Sequence, residues 1–221
     1  MSLTWGRVIG QCVLAGVVVA GCSGGGSLPD GRQELKQAAA AMREVRSVGF
    51  AIRSEGKPSI SVKSADGRLL RSGDAEGTLQ LDQSGQSVEM AFTLVGDTVY
   101  FKGATGGYQQ LPKATVLAVY DPSAILDPQR GIVKLLDTAG EPETDEREKV
   151  NGQQALRIKA KLSKSVVPAL VPGVAKDVDG QVWVAESDHR VLKVRMPLEG
   201  GAVTVTFADF NRNFVITAPK G

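Results

Sequence analysis

The chain has 221 residues, and its 26 Lys and Arg against 24 Asp and Glu give a formal net charge of +2. So even a balance provides no strong field for nucleic acid, and one histidine excludes any multi-histidine metal site. Hydrophobic residues make up 42% but aromatics only 5%, so the interior must be built mainly from Val, Leu, Ile and Ala.

The chain opens with the features of an export signal. Arg7 and the amino terminus form a short positive region, and residues 8–19 are apolar apart from Gln11 and small residues. That run is too short to span a bilayer comfortably, so residues 1–21 read as a removed signal peptide. Val19-Ala20-Gly21-Cys22 matches a lipobox, where a bacterial lipoprotein is acylated on the cysteine sulfur and cut just before it. Cys12 leaves with the signal, so Cys22 is the one cysteine retained and no internal disulfide is expected. An odd cysteine in an exported chain needs an explanation, and acylation supplies it. Several acyl chains on Cys22 would hold the protein on the outer side of the cytoplasmic membrane. Residues 22–29 then form the acylated cysteine and a glycine-rich tether, and 30–221 a single domain.

At Asp30 the pattern becomes helical. Asp30 caps, Gln33 sits three residues on, and Leu35, Ala38, Met42 and Val45 recur at helical spacing, which predicts a helix over 31–45. From Ser47 to Gln110 the period drops to two. Phe50 and Ile52, then Ile60 and Val62, open a sheet; Ala65-Asp66-Gly67 reads as a turn, and Ser84-Gly85 joins strands 77–83 and 87–95. Turns at Gly96-Asp97 and Gly106-Gly107 complete an antiparallel meander with one apolar face.

Two Asp-Pro pairs, Asp121-Pro122 and Asp127-Pro128, suit N-cap and first helical positions and predict short helices over 123–126 and 129–137. The second carries Ile132, Val133, Leu135 and Leu136, more apolar side chains than one helix face needs, so the surplus needs cover in the sheet, a ligand or a membrane. Asn151-Gly152 is the strongest hairpin signal, between 147–150 and 153–162; there Leu156, Ile158, Ala160 and Leu162 alternate with Arg157, Lys159 and Lys161. A further apolar helix over 164–171, strands over 181–186, 191–196 and 202–210, and a terminal run over 214–217 finish the chain. The class is α+β, a curved antiparallel sheet with helices on its apolar side.

Chemistry is sparse. Gly21-Cys22-Ser23-Gly24-Gly25 fits a nucleophile-elbow spacing but lies in a glycine tether and not on a strand-turn-helix. His189 falls in a predicted turn beside Asp188 and Arg190, where a solvated residue is expected and not a base. The acidic run 141–148 lacks the spacing and glycine of a calcium loop and reads as a solvated connection. No residue is assigned to catalysis, a metal or a cofactor. The apolar stripes read first as ordinary core, and parity alone does not separate a filled core from a cavity.

Taken together, Tyr120-Asp121-Pro122-Ser123-Ala124-Ile125-Leu126-Asp127-Pro128, the helix after Gly131, Val150-Asn151-Gly152 and Val182-Trp183-Val184 resemble the mycobacterial LppX/LprA/LprF/LprG lipoproteins. The lipobox, Leu28-Pro29-Asp30, the strand ending at Phe210 and Thr217-Ala218-Pro219 fit the same pattern, although Phe210 stands where the family often has Trp. The resemblance implies a half-barrel with helices on its concave side, enclosing an apolar cavity for acyl chains of di- or triacylated lipids or glycolipids. It implies a carrier that is not an enzyme and is linked with export by a membrane lipid exporter, while the even charge balance argues for no nucleic-acid partner. Triacylglycerol, acylated phosphatidylinositol mannosides, lipoarabinomannan-type glycolipids and waxy diesters all remain open as ligands. Within that frame, strand parity assigns the lining to Leu79, Leu81, Val88, Met90, Phe92, Leu94, Leu156 and Ile158, with Ile132 and Leu136 from the helix above. A solid-cored scaffold lipoprotein, partnering a transporter without carrying lipid, is the competing reading.

Overall fold

The computed structural model describes Ser2 and residues 27–83, 85–117 and 121–220. Cys12, the lipobox with Cys22 and the tether glycines lie outside the described residues, as do Ser84 and Tyr120.

Helix α1 (Gly31–Arg43) begins where Asp30 Oδ1 accepts the Gln33 N–H at 2.8 Å, and Leu35, Ala38, Ala39 and Met42 form its buried face. A first meander follows: β1 (Ser47–Gly56), β2 (Val62–Leu70), β3 (Ala75–Gln83), β4 (Gln86–Val95), β5 (Thr98–Gly103) and β6 (Gln109–Pro112). Residues 113–139 hold α2 (Lys113–Leu117), a 3-10 turn (Pro122–Leu126) and α3 (Ile132–Thr138). A second meander comprises β7 (Gly140–Val150), β8 (Gln153–Leu162), β9 (Val178–Ala185), β10 (Val191–Leu198) and β11 (Gly201–Ala208), with a 3-10 turn at Val167–Ala169.

All eleven strands join one antiparallel sheet in the order β6-β5-β4-β3-β2-β1-β11-β10-β9-β8-β7. The sheet is open and curved, a half-barrel. First and last strands meet at its centre, where β1 pairs with β11 from Gly49↔Ala208 to Gly56↔Gly201. Strands β6 and β7 are therefore the two edges, so the helical stretch 113–139 must run from one edge of the half-barrel to the other.

Several expectations are corrected. Ala65-Asp66-Gly67 is no turn but lies inside β2, paired with β1 and β3. The acidic run 141–148 is no solvated connection but most of edge strand β7; its outer edge carries charge and Pro142, which discourage further strand pairing. Asp127-Pro128 does not open a helix: α3 starts four residues later, after Gly131, and Asp127 Oδ1 instead accepts the Gln129 N–H at 2.8 Å. The helix expected over 164–171 is reduced to one 3-10 turn around Pro168, and 214–217 pairs with no strand. The surplus apolar residues of α3 find their cover within the protein, since all four are buried and α3 packs on α1.

The misread turn has a steric explanation. Gly67 faces Phe50 across β1–β2 and Gly77 across β2–β3, and Gly77 faces Phe92. A Cβ on Gly67 would lie 2.9 Å from the Phe50 ring and collide with the Glu76 carbonyl, while one on Gly77 would collide with the Asp66 carbonyl. The glycines serve close approach inside the sheet and not reversal of the chain.

On the convex face, Arg157 donates to Asp145 at 2.9 and 3.0 Å and Lys159 reaches the same carboxylate at 2.8 Å. Hydrogen bonding from Arg157 outweighs burial and holds the Asp145 carboxyl below its ordinary range. Beside this ladder a second small core gathers Val150, Ala155, Trp183, Ala185 and Leu192, with Lys193 Nζ 3.6 Å above the Trp183 ring. His189, in the left-handed region at φ 56°, turns Nδ1 toward Glu34 Oε2 at 3.3 Å and ties the β9–β10 turn to α1.

Gly67→Val should lower stability by about 2–3 kcal/mol through overpacking, whereas Gly107→Ala, where an added Cβ has nothing within 4 Å, should shift it by less than about 0.5 kcal/mol. Urea unfolding followed by circular dichroism checks both; equal midpoints would refute the close-approach explanation.

Candidate functional site

Strand pairing aligns one row of concave side chains across almost the whole sheet. From β7 to β4 it reads Thr144, Ile158, Val182, Val194, Val205, Ile52, Ala65, Leu79 and Met90, each in register with the next. Ile158, Val182, Val194 and Val205 have 0% of their surface exposed and Ile52 4%, whereas Leu79 and Met90 are only partly buried. Apart from Thr144 at its β7 end the row is apolar, but it is unequally covered. Helix α1 lies against β7, β9 and α3, and so fills the half of the concavity beneath the second meander.

The other half holds a cavity of about 480 Å³. Its sheet wall comprises Phe50, Ile52, Val62, Ala65, Leu79, Leu81, Met90, Phe92, Leu94, Val99 and Phe101. Its remaining wall is Pro122, Pro172, Gly173 and the β1–β2 loop at Ser59, Ile60 and Ser61. No lining residue is charged, and the lining hydroxyls are those of Ser59 and Ser61. Exposure grows along the cavity, from buried Leu94 and Val99 to exposed Ser59 and Ser61, which places the mouth at the β1–β2 loop.

The Asp-Pro segment positions the roof. Asp121 Oδ1 accepts the Ser123 N–H at 3.0 Å and caps the 3-10 turn. Arg130 ties both motif carboxylates together, at 3.2 Å from Asp121 and 2.8 Å from Asp127. Burial pushes the Asp127 carboxyl up, but hydrogen bonds from Arg130 and the Gln129 N–H outweigh it and hold the group below its usual range. Pro122, inside this clamp, is the roof residue that meets the cavity. On the opposite side, Gly173 approaches Ile60, whose Cγ2 would lie 3.4 Å from an added Cβ.

The LppX_LprAFG lipoprotein family matches residues 30–216, most of the chain. This protein belongs to that family. Its sequence is 31% identical to the lipoarabinomannan carrier protein LprG of Mycolicibacterium smegmatis, covering 93% of this chain and 92% of the relative. Among solved structures, LprF from Mycobacterium bovis superposes with a TM-score of 0.78 at 19% identity, covering 86% of this chain and 97% of that one. LppX from Mycobacterium tuberculosis gives 0.64 at 20% identity, over 84% and 97%. Both share the fold.

Of the residues assigned by parity, Leu79, Leu81, Met90, Phe92 and Leu94 stand together on the cavity wall. Val88, opposite Leu81 near the β3–β4 end, is partly buried but outside the lining. Ile132, Leu136, Leu156 and Ile158 are not lining residues either. They are buried, with Ile132, Leu136 and Ile158 in the packed core beneath α1 and α3. The strand residues among them share the concave face of the sheet; which part of that face is covered depends on where the helices dock. Sequence reading also missed Phe50, Ile52, Val99 and Phe101, which their alternation marks as apolar-face positions, and the loop and turn residues Ser59–Ser61, Pro172 and Gly173, which no pattern marks.

This division predicts unequal costs for equal truncations. Ile158→Ala in the packed half should cost about 3–4 kcal/mol and Leu79→Ala on the cavity wall about 1 kcal/mol. Chemical denaturation of the two variants checks this, and equal costs would show the wall to be as tightly packed as the core.

Proposed function

We propose that this protein carries lipid acyl chains in the cavity between the first meander and the Asp-Pro roof. The observation that supports the reading is the cavity itself, a space of about 480 Å³ with no charged residue on its walls. Unfilled volume beside an apolar wall forfeits dispersion contacts and hydrophobic burial, a loss that hydrocarbon of a ligand restores. The relative named as a lipoarabinomannan carrier protein supports the same class of cargo, a lipid or glycolipid.

Magnitudes shape the mechanism. Each buried methylene contributes ~0.8 kcal/mol, so a chain of about sixteen carbons gains roughly 12 kcal/mol of gross transfer free energy against water. Release into water is therefore slow, and transfer requires the mouth to meet a membrane or an acceptor protein. The walls select hydrocarbon without choosing a headgroup, and the polar part of the lipid stays at Ser59 and Ser61. Acylation of Cys22 after removal of residues 1–21 anchors the body outside the cytoplasmic membrane, with residues 23–29 as a tether. From there the carrier passes lipid toward export and envelope assembly, with a membrane lipid exporter as its partner.

Two measurements test this. Organic extracts of purified protein, analysed by mass spectrometry, should contain stoichiometric acyl lipid, and Leu79→Trp should remove most of it while circular dichroism stays unchanged. Clean wild-type extracts, or undiminished lipid in folded Leu79→Trp, would refute carriage in this cavity. Separately, Cys22→Ser should abolish incorporation of labelled palmitate; persistent labelling would refute acylation at that residue.

A further inference from the structure

The Asp-Pro segment has a second side. Ser123, Leu126, Asp127, Pro128, Gln129 and Arg130 line a polar cleft of about 390 Å³, completed by Arg71 and Ser72 from the β2–β3 turn. This cleft shares no residue with the acyl cavity: Pro122 meets the cavity, and its neighbour Ser123 faces the cleft. The two openings also lie at opposite ends of the first meander, one at the β2–β3 turn and the other at the β1–β2 loop. We propose that the cleft binds the phosphate group of an anionic ligand, held by Arg71, Lys113 and Gln129.

The argument starts from which charges are already committed. Asp127 accepts the Gln129 N–H and the Arg130 Nε, both at 2.8 Å. Asp121 accepts the Ser123 N–H at 3.0 Å and the Arg130 Nη1 at 3.2 Å, and Asp74 accepts the Gly96 N–H at 3.0 Å. The charge of Arg130 is therefore spent on its two carboxylates. Arg71 and Lys113 differ, because neither forms an ion pair among the described residues. Arg71 Nη2 donates to the Arg43 carbonyl at the end of α1, which fixes the guanidinium without neutralising it. Lys113 uses only its backbone N–H, on the Asp97 carbonyl at 2.9 Å. Its ammonium is half-buried and has no acceptor among the described residues, so an anion would replace hydration it has lost.

Gly73, at φ 97°, brings these groups together. A Cβ placed there would lie 3.2 Å from Ser123 Cβ and 3.5 Å from Lys113 Nζ, so the lysine reaches the Ser123 wall of the cleft. The available groups are donors: the remaining guanidinium N–H groups of Arg71, the ammonium of Lys113 and the side-chain amide of Gln129. A neutral sugar would need free acceptors for its hydroxyls, and the carboxylates nearby are occupied. No aromatic ring lines the cleft for a sugar or a base to stack on. Phosphate offers at least three oxygens to donors arriving from three segments, and fork-shaped and point-charge cations both suit it. Because the cleft is remote from the cavity mouth, this phosphate belongs to a molecule other than the lipid in the cavity. It is either a membrane lipid headgroup or a soluble phosphate ester.

The test uses the full chain carrying Cys22→Ser, so that no acyl anchor carries it to vesicles. Isothermal titration with glycerol 3-phosphate, in phosphate-free buffer of low salt, reads the soluble source. Flotation with phosphatidylcholine vesicles containing phosphatidylglycerol reads the headgroup. Saturable binding is expected in at least one arm, with a Kd below about 5 mM for the soluble ester. Lys113→Gln, which deletes no side-chain hydrogen bond of the fold, should weaken it about tenfold. Arg71→Gln should do the same where it folds, whereas Lys36→Gln on the exposed face of α1 should stay within about twofold. Binding of the ester assigns a soluble phosphate, and binding to vesicles alone with the same variant pattern assigns a headgroup. Absence of saturable binding in both arms, equal binding of unphosphorylated glycerol, or a Lys113→Gln variant no weaker than Lys36→Gln would overturn the site. None of these results bears on lipid carriage in the other cavity.

Discussion

Unequal cover of one continuous apolar face is the constraint on which the architecture depends. Strand pairing locks Ile158, Val182, Val194, Val205, Ile52, Ala65, Leu79 and Met90 into a single row. Such a face must be removed from water, because its burial is the main favourable contribution to folding. Helix α1 and α3 cover the half beneath the second meander, while the other half is roofed by two short turns and a loop. The protein thus combines a conventional core with a wall whose apolar side chains border unfilled space.

The topology accounts for this asymmetry. With β6 and β7 at opposite edges, the connection between them crosses the concave opening. Its later part, α3, lies against α1 and completes the packed half; its earlier part, clamped by Asp121, Asp127 and Arg130, forms the roof over the cavity. A roof held by its own ion pairs needs no dense contact with the wall below, which allows the volume to persist. Arg130 is about half exposed, with 54% of its side-chain surface accessible, so these pairs act more through geometry than through large stabilisation. The Gly67–Gly77 pair contributes from the sheet side, letting Phe50 and Phe92 flank a stretch of bare backbone.

The proposed function rests on volume and polarity more than on any reactive group. The cavity presents hydrocarbon on nearly every side and hydroxyls at its mouth. Charge stands instead on the convex face, in ladders such as Asp145–Arg157, where cross-strand ion pairs bridge β7 and β8. LprF shares this fold at 19% identity, as expected if alternation, turn placement and edge protection specify the half-barrel while individual core residues vary.

Period-two alternation made most of the sheet legible in the sequence, because a strand with one dry face writes its orientation into every second residue. The Asp30 cap, the Asn151-Gly152 hairpin and the apolar face of Leu79, Leu81, Met90, Phe92 and Leu94 could all be assigned from local chemistry alone. Local chemistry failed where a residue's role depends on distant chain: Gly67 resembled a turn because its neighbours across the sheet were unknown, and β7 resembled a loop because an edge strand tolerates charge. The location of the cavity was beyond sequence for the same reason. Leu79 and Ile158 carry equivalent signatures, and only the docking of α1 and α3 over one end of their common row decides that the first borders space and the second is packed.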